Sequence, residues 1–377
     1  MIDFGIGIVG CGNIAETYAR LMSGFRGLRL MACADVLPDR AKALAERHGI
    51  SALSPEALLS ARDVDIVVNL TVPTEHFAVS RAALAAGKHV WTEKPFATRL
   101  DEAKALKALA DERGLRIGSA PDTFLGGGHQ QARSLLDQGR IGKVVSGSAA
   151  VLSHGMESWH PDPDFFFRPG GGPIFDLGPY YIASLVDLIG PIARVAGFGS
   201  AGSPSRTIGS GTRAGERVPV LTPTNLHALL EFRSGAILSF SASWDVWAHR
   251  RAPIELYGET GSMILPDPND FDGVVTLAGT DGELQDQEAM PHVLGIANQT
   301  HPKWGSFANY RGAGLSEMAE AIRTGRPHRC SVELALHTVE VMVAILQSAE
   351  TGQSIPITSD CTRPAALDDA AARDLMR

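Results

Sequence analysis

Phe4-Gly5-Ile6-Gly7-Ile8-Val9-Gly10-Cys11-Gly12-Asn13-Ile14-Ala15 is the stretch on which the reading of this chain turns. Phe4–Val9 is short, apolar and runs straight into glycines, as a strand buried on both faces does. Residues 13–23 follow with helical spacing. Between them lies G-x-G-x-x-A, a weak signal alone but a meaningful one between a strand and a helix. Gly10 permits the tight turn, Gly12 lets the backbone approach a pyrophosphate, and Ala15 keeps helix and strand close. The helix start at Asn13 and Ile14 offers free N–H donors and a partial positive charge to that anion. Asp35 ends the next apolar run, Leu28–Ala34, at 23 positions after Gly12. A carboxylate near that spacing accepts from a ribose 2′-hydroxyl and repels a 2′-phosphate, so NAD is expected over NADP. Arg40 lies close enough to soften the repulsion and leave NADP open.

Working outward, strand-like and helix-like patterns alternate through the first third. Pro38–His48 reads as a helix stopping at Gly49, and Ser54-Pro55 as a helix start. Val64–Leu70 reads as a strand, Phe77–Ala86 as a helix closed by Gly87, and Lys88–Thr92 as a strand. Thr98-Arg99-Leu100-Asp101 has the form of a capping box ahead of a helix to Arg113, and Leu115–Ser119 completes the series. Such repeats predict an α/β fold with a doubly wound parallel sheet. The texture then changes. A helix entered at Gly126-Gly127-Gly128 ends near Gly139. Strand-like runs follow at Val144–Leu152, Asn225–Phe232, Ala236–Trp244, Ile254–Tyr257, Ser262–Leu265 and Val274–Ala278, with tight turns that predict antiparallel pairing. Leu334–Ala349 reads as a long helix and Gly197–Arg217 as an exposed Gly/Ser-rich loop. Two domains are expected, residues 1–121 and 122–377, as the length of 377 residues also suggests.

A net charge of −8 argues against nucleic acid and anionic membrane as partners. The cysteines Cys11, Cys33, Cys330 and Cys361 share no C-x-x-C spacing, so free thiols in a reducing compartment are expected. The N-terminal stretch lacks the charged and apolar regions of a signal peptide, and no apolar run is read as reaching membrane-helix length, which places the chain in the cytoplasm. His160, Asp162 and Asp164 match no metal-site spacing, and no metal is expected.

Glu93-Lys94-Pro95 follows a predicted strand directly, at the carboxyl edge where open α/β sheets bind ligands. With "VGCGNIA", "AAGKHVWTEKP" and "GGGPIFDLGPYY", the chain resembles the Gfo/Idh/MocA family, the group of glucose–fructose oxidoreductase and inositol dehydrogenase. The resemblance implies a Rossmann domain followed by an α/β domain with a large, mostly antiparallel open sheet that often forms the interface of a homodimer or homotetramer. It implies an active-site Lys94, often in a cis bond to proline, and a histidine, His76, that supports the loop near the nicotinamide. It places Thr71, Pro73 and Arg168 near the cofactor. Glu93 would orient Lys94 or contact the cofactor. The chemistry agrees: hydride loss from an alcohol needs an acceptor for the hydroxyl proton, and a lysine serves if desolvation and a cationic ring lower its pKa.

Asp176 and Tyr180 are four apart and share a face if the segment is helical, although Pro179 marks a helix start or kink there. Many family members carry histidine where Tyr180 stands; the tyrosine form resembles glucose–fructose oxidoreductase and dimeric dihydrodiol dehydrogenase. Either Lys94 or Tyr180 can be the primary acid/base. Asp122, His154, Trp159 and His160 are polar or aromatic groups suited to a sugar pocket. The expected function is hydride transfer between a nicotinamide cofactor and a sugar or polyol carbon. An NAD-dependent glycosidase and a non-catalytic nucleotide-binding regulator of the same fold are the alternatives.

Overall fold

An apolar run with no polar face cannot lie at a surface, and Phe4–Val9 accordingly becomes the inner strand β1, with Gly5 to Val9 buried. The computed structural model describes residues 3–303 and 305–377; Met1 and Ile2 of the N-terminal stretch, and Trp304, lie outside the described residues. Around β1 are arranged β2 (Leu28–Ala34), β3 (Ser51–Leu53), β4 (Ile66–Asn69), β5 (His89–Thr92) and β6 (Ile117–Ser119). These six strands form one parallel sheet in the order β3-β2-β1-β4-β5-β6. Helices α1 (Asn13–Met22), α2 (Pro38–His48), α3 (Pro55–Ser60), α4 (His76–Ala85) and α5 (Leu100–Arg113) connect them. This is the doubly wound fold expected, with β3 as an edge strand too short to be read from the sequence.

The register matters for function. Ala34, Val9, Asn69, Thr92 and Ser119 are paired in turn, so the carboxyl ends of five strands make one level edge. The loops leaving it carry Asp35, the 10–12 turn, Thr71 and Glu93-Lys94-Pro95. Strand order reverses between β1 and β4, which opens a crevice at that point.

Caps follow the expectation in one case and not in another. Ser54 Oγ accepts from the Ala57 amide at 3.2 Å and caps α3. The capping box at Thr98 does not form. Arg99 is the N-cap of α5 and cannot cap it, because a guanidinium has no acceptor for the free amides; it donates to Asp101 at 2.7 and 2.9 Å instead.

After β6 the chain passes through a single turn into α6 (Gly127–Asp137) and β7 (Val144–Leu152). Two helices follow, α7 (Gly172–Asp176) and α8 (Gly178–Ile189), then β8 (Ile192–Ser200). The second sheet has nine strands: Gln285–Asp286, Thr276–Ala278, Ser262–Leu265, Ile254–Gly258, β7, Ile237–Ser243, Asn225–Phe232, β8 and Ile355–Pro356. Every pairing is antiparallel except that of Ile237–Ser243 with β7. Asn225–Phe232 alternates exposed and buried positions, so the sheet has an inner and an outer face. Helix α10 (Val332–Thr351) lies on β8 at the inner face. Phe198, Leu229, Ile237 and Tyr257 remain exposed on the outer one.

Two expectations are corrected here. Residues 197–217 are not a loop throughout. Gly197 to Ser200 belong to β8, and Ser205–Thr207 pairs with Arg217–Pro219 as a hairpin whose Arg206 is buried. Backbone pairing needs no side chains, so the glycines there do not prevent a strand. Helix α10 is also long and apolar enough to cross a membrane by length and composition, contrary to the reading that no run reaches that size; 72% of the qualifying window is buried inside the protein.

The division after residue 121 describes the strands but not the packing. Helix α9 (Ala313–Thr324) lies against β6, α10 against α5, and the Arg377 amide donates to the Gly24 carbonyl at 2.9 Å. The C-terminal segments thus pack on the first sheet as well as the second.

Candidate active site

The turn after β1 is built for close approach. Gly10 has φ +96°, and a Cβ there would lie 2.7 Å from the Leu70 backbone, so only glycine fits. Gly12 is the N-cap of α1, no side chain caps that helix end, and a Cβ on Gly12 would meet nothing within 4 Å. The helix therefore presents unpaired N–H groups to open space, with Asn13 exposed at its first turn. Asp35 stands beside this mouth. Its carboxylate accepts from the Cys11 amide at 2.7 Å and the Leu37 amide at 2.8 Å. An uncapped helix end, an open glycine and an anchored carboxylate fit the pyrophosphate and ribose of NAD.

From Ile14 a pocket of about 410 Å³ runs along the crevice to the second domain. Thr71, Pro73, His76, Glu93 and Lys94 line its first-sheet side; Phe165, Phe166, Phe175, Asp176 and Tyr180 line the other. The Lys94–Pro95 bond is cis. Lys94 Nζ donates to Asp176 Oδ1 at 2.9 Å and to the Asp176 carbonyl at 2.6 Å, and lies 5.2 Å from the Tyr180 ring centre. Burial alone would lower the Lys94 pKa; Asp176, Tyr180 and Glu93 outweigh it and hold the amine above the ordinary lysine range. This reverses the expected depression, because a carboxylate in direct contact outweighs desolvation.

Asp176 and Tyr180 do not share one helix. Asp176 ends α7, Leu177 interrupts, and Tyr180 sits in the first turn of α8. The break, rather than a common helical face, brings both side chains to Lys94. Glu93 does not face the pocket as a free acid: Oε1 accepts from the Tyr18 hydroxyl at 2.8 Å and Oε2 from the Lys94 amide at 2.9 Å. The Trp91 indole donates to Tyr18 in turn, at 3.3 Å. Glu93 thus fixes the backbone that projects Lys94. His76 does the same from the other side, its ring nitrogens 2.6 Å from the Pro95 carbonyl and 3.0 Å from that of Thr71.

Apart from the cofactor-loop residues Gly10, Gly12 and Asn13 and the adjoining Asp35, five of the residues read from the sequence do not reach the pocket lining. Asp122 is buried, and its carboxylate accepts the amides of Gly312 and Gly314 at 2.9 and 3.0 Å. Burial pushes it up to about 6, against the pull of those amides. It holds a loop and does not touch the cavity. His154 stacks on Trp247 with ring centres 3.5 Å apart, and Trp159 is 60% exposed. His160 packs on Phe165 and Phe166, and so acts through those rings. Arg168 is exposed, 4.0 Å from Asp164. Among the described residues no group of three or more His, Cys, Asp or Glu could hold a metal ion.

The sequence reading misses Tyr18 and a polar wall formed by Asn269, Asn309 and Arg311. Arg311 donates to Asn269 Oδ1 at 2.9 Å and to Asn309 Oδ1 at 3.3 Å. Tyr180 lies close enough to raise its pKa. No motif marks these positions; only the fold brings them to the crevice.

Comparison with known proteins adds an independent line. Residues 4–120 match the Gfo/Idh/MocA family model described as "Oxidoreductase family, NAD-binding Rossmann fold", and residues 129–264 match the Gfo/Idh/MocA C-terminal domain. The 1,5-anhydro-D-fructose reductase of Ensifer adhaerens is 28% identical over 290 residues, 74% of this chain and 81% of that one. The inositol 2-dehydrogenase of Rhizobium meliloti (strain 1021) is 30% identical over 167 residues, 44% of this chain and 49% of its own length. Several other relatives are likewise spanned over only about half their length. Levoglucosan dehydrogenase, solved with NADH, superposes with a TM-score of 0.78 at 20% identity, covering 95% of this chain and all (100%) of that one. The aldose–aldose oxidoreductase of Caulobacter crescentus, complexed with glycerol, gives 0.74 at 24% identity, covering 94% and 99%. At these identities the two structures establish a shared fold.

Proposed function

The chain belongs to the Gfo/Idh/MocA family of NAD-binding oxidoreductases, and from that premise we propose that it moves a hydride between NAD(H) and a hydroxyl-bearing carbon of a sugar or polyol. The observation that carries the reading is the contact of Lys94 with Asp176 and Tyr180, in the pocket that begins at the cofactor loop.

When bound, NAD supplies the hydride acceptor, or the donor in the reverse direction. The residues of this chain do the rest. The α1 N-terminus and Gly12 hold the pyrophosphate, and Asp35 takes the ribose hydroxyls. Asp176 keeps Lys94 as an ammonium aimed into the pocket, where it donates to the substrate oxygen and favours negative charge there. Tyr180, with its ring under that amine, exchanges the hydroxyl proton. Phe165 and Phe166 cover the mouth and reduce access of water.

Two variants test this. Lys94→Ala and Tyr180→Phe are each expected to lower kcat/KM by about 10²–10⁴-fold, while NADH affinity, read by fluorescence titration, stays within about threefold. Turnover by Lys94→Ala at the wild-type rate would remove the proton-handling assignment. Steady accumulation of NADH during sugar oxidation supports a dehydrogenase; bond cleavage without net NADH is the glycosidase outcome.

We further infer a homodimer or homotetramer formed through the outer face of the second sheet. Phe198, Leu229, Ile237 and Tyr257 are exposed there on four strands of the one sheet, a pattern that suits an interface. The unpaired cysteines suit the reducing cytoplasm. The net charge of −8 argues against nucleic acid or anionic membrane as a partner.

A further inference from the structure

Arg311 lines the pocket with Lys94, Asp176 and Tyr180, yet it forms no ion pair among the described residues. Its side-chain bonds go to neutral oxygens of Asn269 and Asn309. Glu93, Asp122 and Asp270 act on its charge from farther off, without contact. Glu93 accepts from Tyr18 and the Lys94 amide, and Asp122 accepts from two glycine amides. A guanidinium held off solvent without a contacting carboxylate is costly unless an anion completes it. The asparagines point the same way. With each Oδ1 accepting from Arg311, the Nδ2 of each amide remains as its donor end. The wall therefore offers donors only: a planar fork and two amide groups. That is the set that recognises a carboxylate. It lines the pocket together with Tyr180, whereas Gly12 and Asp35 do not, so it is placed for the substrate rather than for the phosphates of a dinucleotide.

We propose that this pocket takes a sugar acid, an aldonate or uronate whose carboxylate is bound by Arg311 with Asn269 and Asn309 while a hydroxyl carbon lies at Lys94 and Tyr180. The inference rests on the hydride-transfer reading above and narrows its substrate class.

The test is a binding measurement that needs no turnover. The full-length protein saturated with NADH is titrated calorimetrically with a panel of aldonates, each paired with the alditol of the same configuration. At least one aldonate is expected to bind about tenfold or more tightly than its alditol. Arg311→Gln erases that preference. Arg311→Lys retains part of it, because a point charge attracts the carboxylate without matching its two oxygens. NADH affinity and circular dichroism of both variants confirm that they fold. The proposal is overturned if no aldonate outbinds its alditol, or if Arg311→Gln keeps the preference. Oxidation of uronates and aldoses by NAD is measured in parallel. Absence of turnover with every compound counts against the dehydrogenase reading, whereas the titration still decides the role of Arg311.

Discussion

Replacing Asp176 by asparagine isolates the charge that controls Lys94. The two groups are 2.9 Å apart, with side chains only 17% and 18% exposed. Coulomb's law with an effective dielectric of about 20 gives about 6 kcal/mol at that distance, a ceiling because both groups keep some contact with water. Removing one partner of a largely buried pair costs about 3–5 kcal/mol, which is the better working figure. The substitution keeps the backbone carbonyl at this position, which accepts from Lys94 at 2.6 Å, so the amine stays in place. Its charge does not. Burial is the largest single influence on Lys94 and acts downward; with the carboxylate gone only Tyr180 and Glu93 oppose it, and the pKa of the amine falls. A ketone substrate is reduced with help from the ammonium form. The alkaline limb of kcat/KM for reduction should therefore move to lower pH in Asp176→Asn, and the rate at neutral pH should fall about 10²–10³-fold. The assay is initial-rate NADH consumption from about pH 6 to pH 10, with NADH affinity as a control. Superimposable alkaline limbs in wild type and variant would refute the claim that Asp176 sets the protonation of Lys94.

Two further outcomes are expected. Asp35→Ser removes the carboxylate beside the cofactor loop and leaves the Cys11 and Leu37 amides a weaker acceptor; the preference for NAD over NADP, as a ratio of kcat/KM, should shrink about tenfold or more. Asp122 has its pKa raised from 3.8 to about 6 by burial. A raised carboxyl keeps its proton longer when folded than when unfolded, so this group's contribution to stability falls as pH rises from about 4 to 6, by about 3 kcal/mol at most. One Asp122 oxygen accepts both glycine amides, a task an asparagine oxygen can perform. The melting temperature of Asp122→Asn should gain on wild type across that window and then run parallel; a constant difference would show that the buried carboxyl is not titrating there.

Most of the first sheet is legible because its signals are local. A strand buried on both faces must be continuously apolar, and a helix that stops needs a residue tolerant of positive φ, which Gly49 and Gly114 supply. The failures are competitions that a local pattern does not contain. Thr98 is the natural cap of α5 by spacing, but Arg99 finds Asp101 and the helix begins one residue later. The glycine- and serine-rich stretch from 197 has the composition of a loop, yet β8 is held by backbone bonds to Asn225–Phe232. Arg206 is buried there because Glu157 and Asp245 converge on it from segments 49 and 39 positions away.

The site divides along the same line, and the division shows what decides whether a polar residue faces a ligand. Lys94 and Asp176 stand out because each lies in a motif at the end of a regular element. Asp122 and His154 are equally polar and equally plausible. What removes them is the prior use of their capacity: Asp122 is filled by amides 190 and 192 positions on, and His154 lies under Trp247. Arg311 is the converse, a residue in no motif whose guanidinium the fold leaves without a contacting carboxylate. Asp122 in fact positions it, because the amides it holds belong to Gly312, the residue after Arg311, and to Gly314 in the first turn of α9. An acid misread as a ligand group thus sets the backbone of the cation that the motifs pass over. A sequence names every donor and acceptor, but only the pairing among them reveals which remain for a substrate.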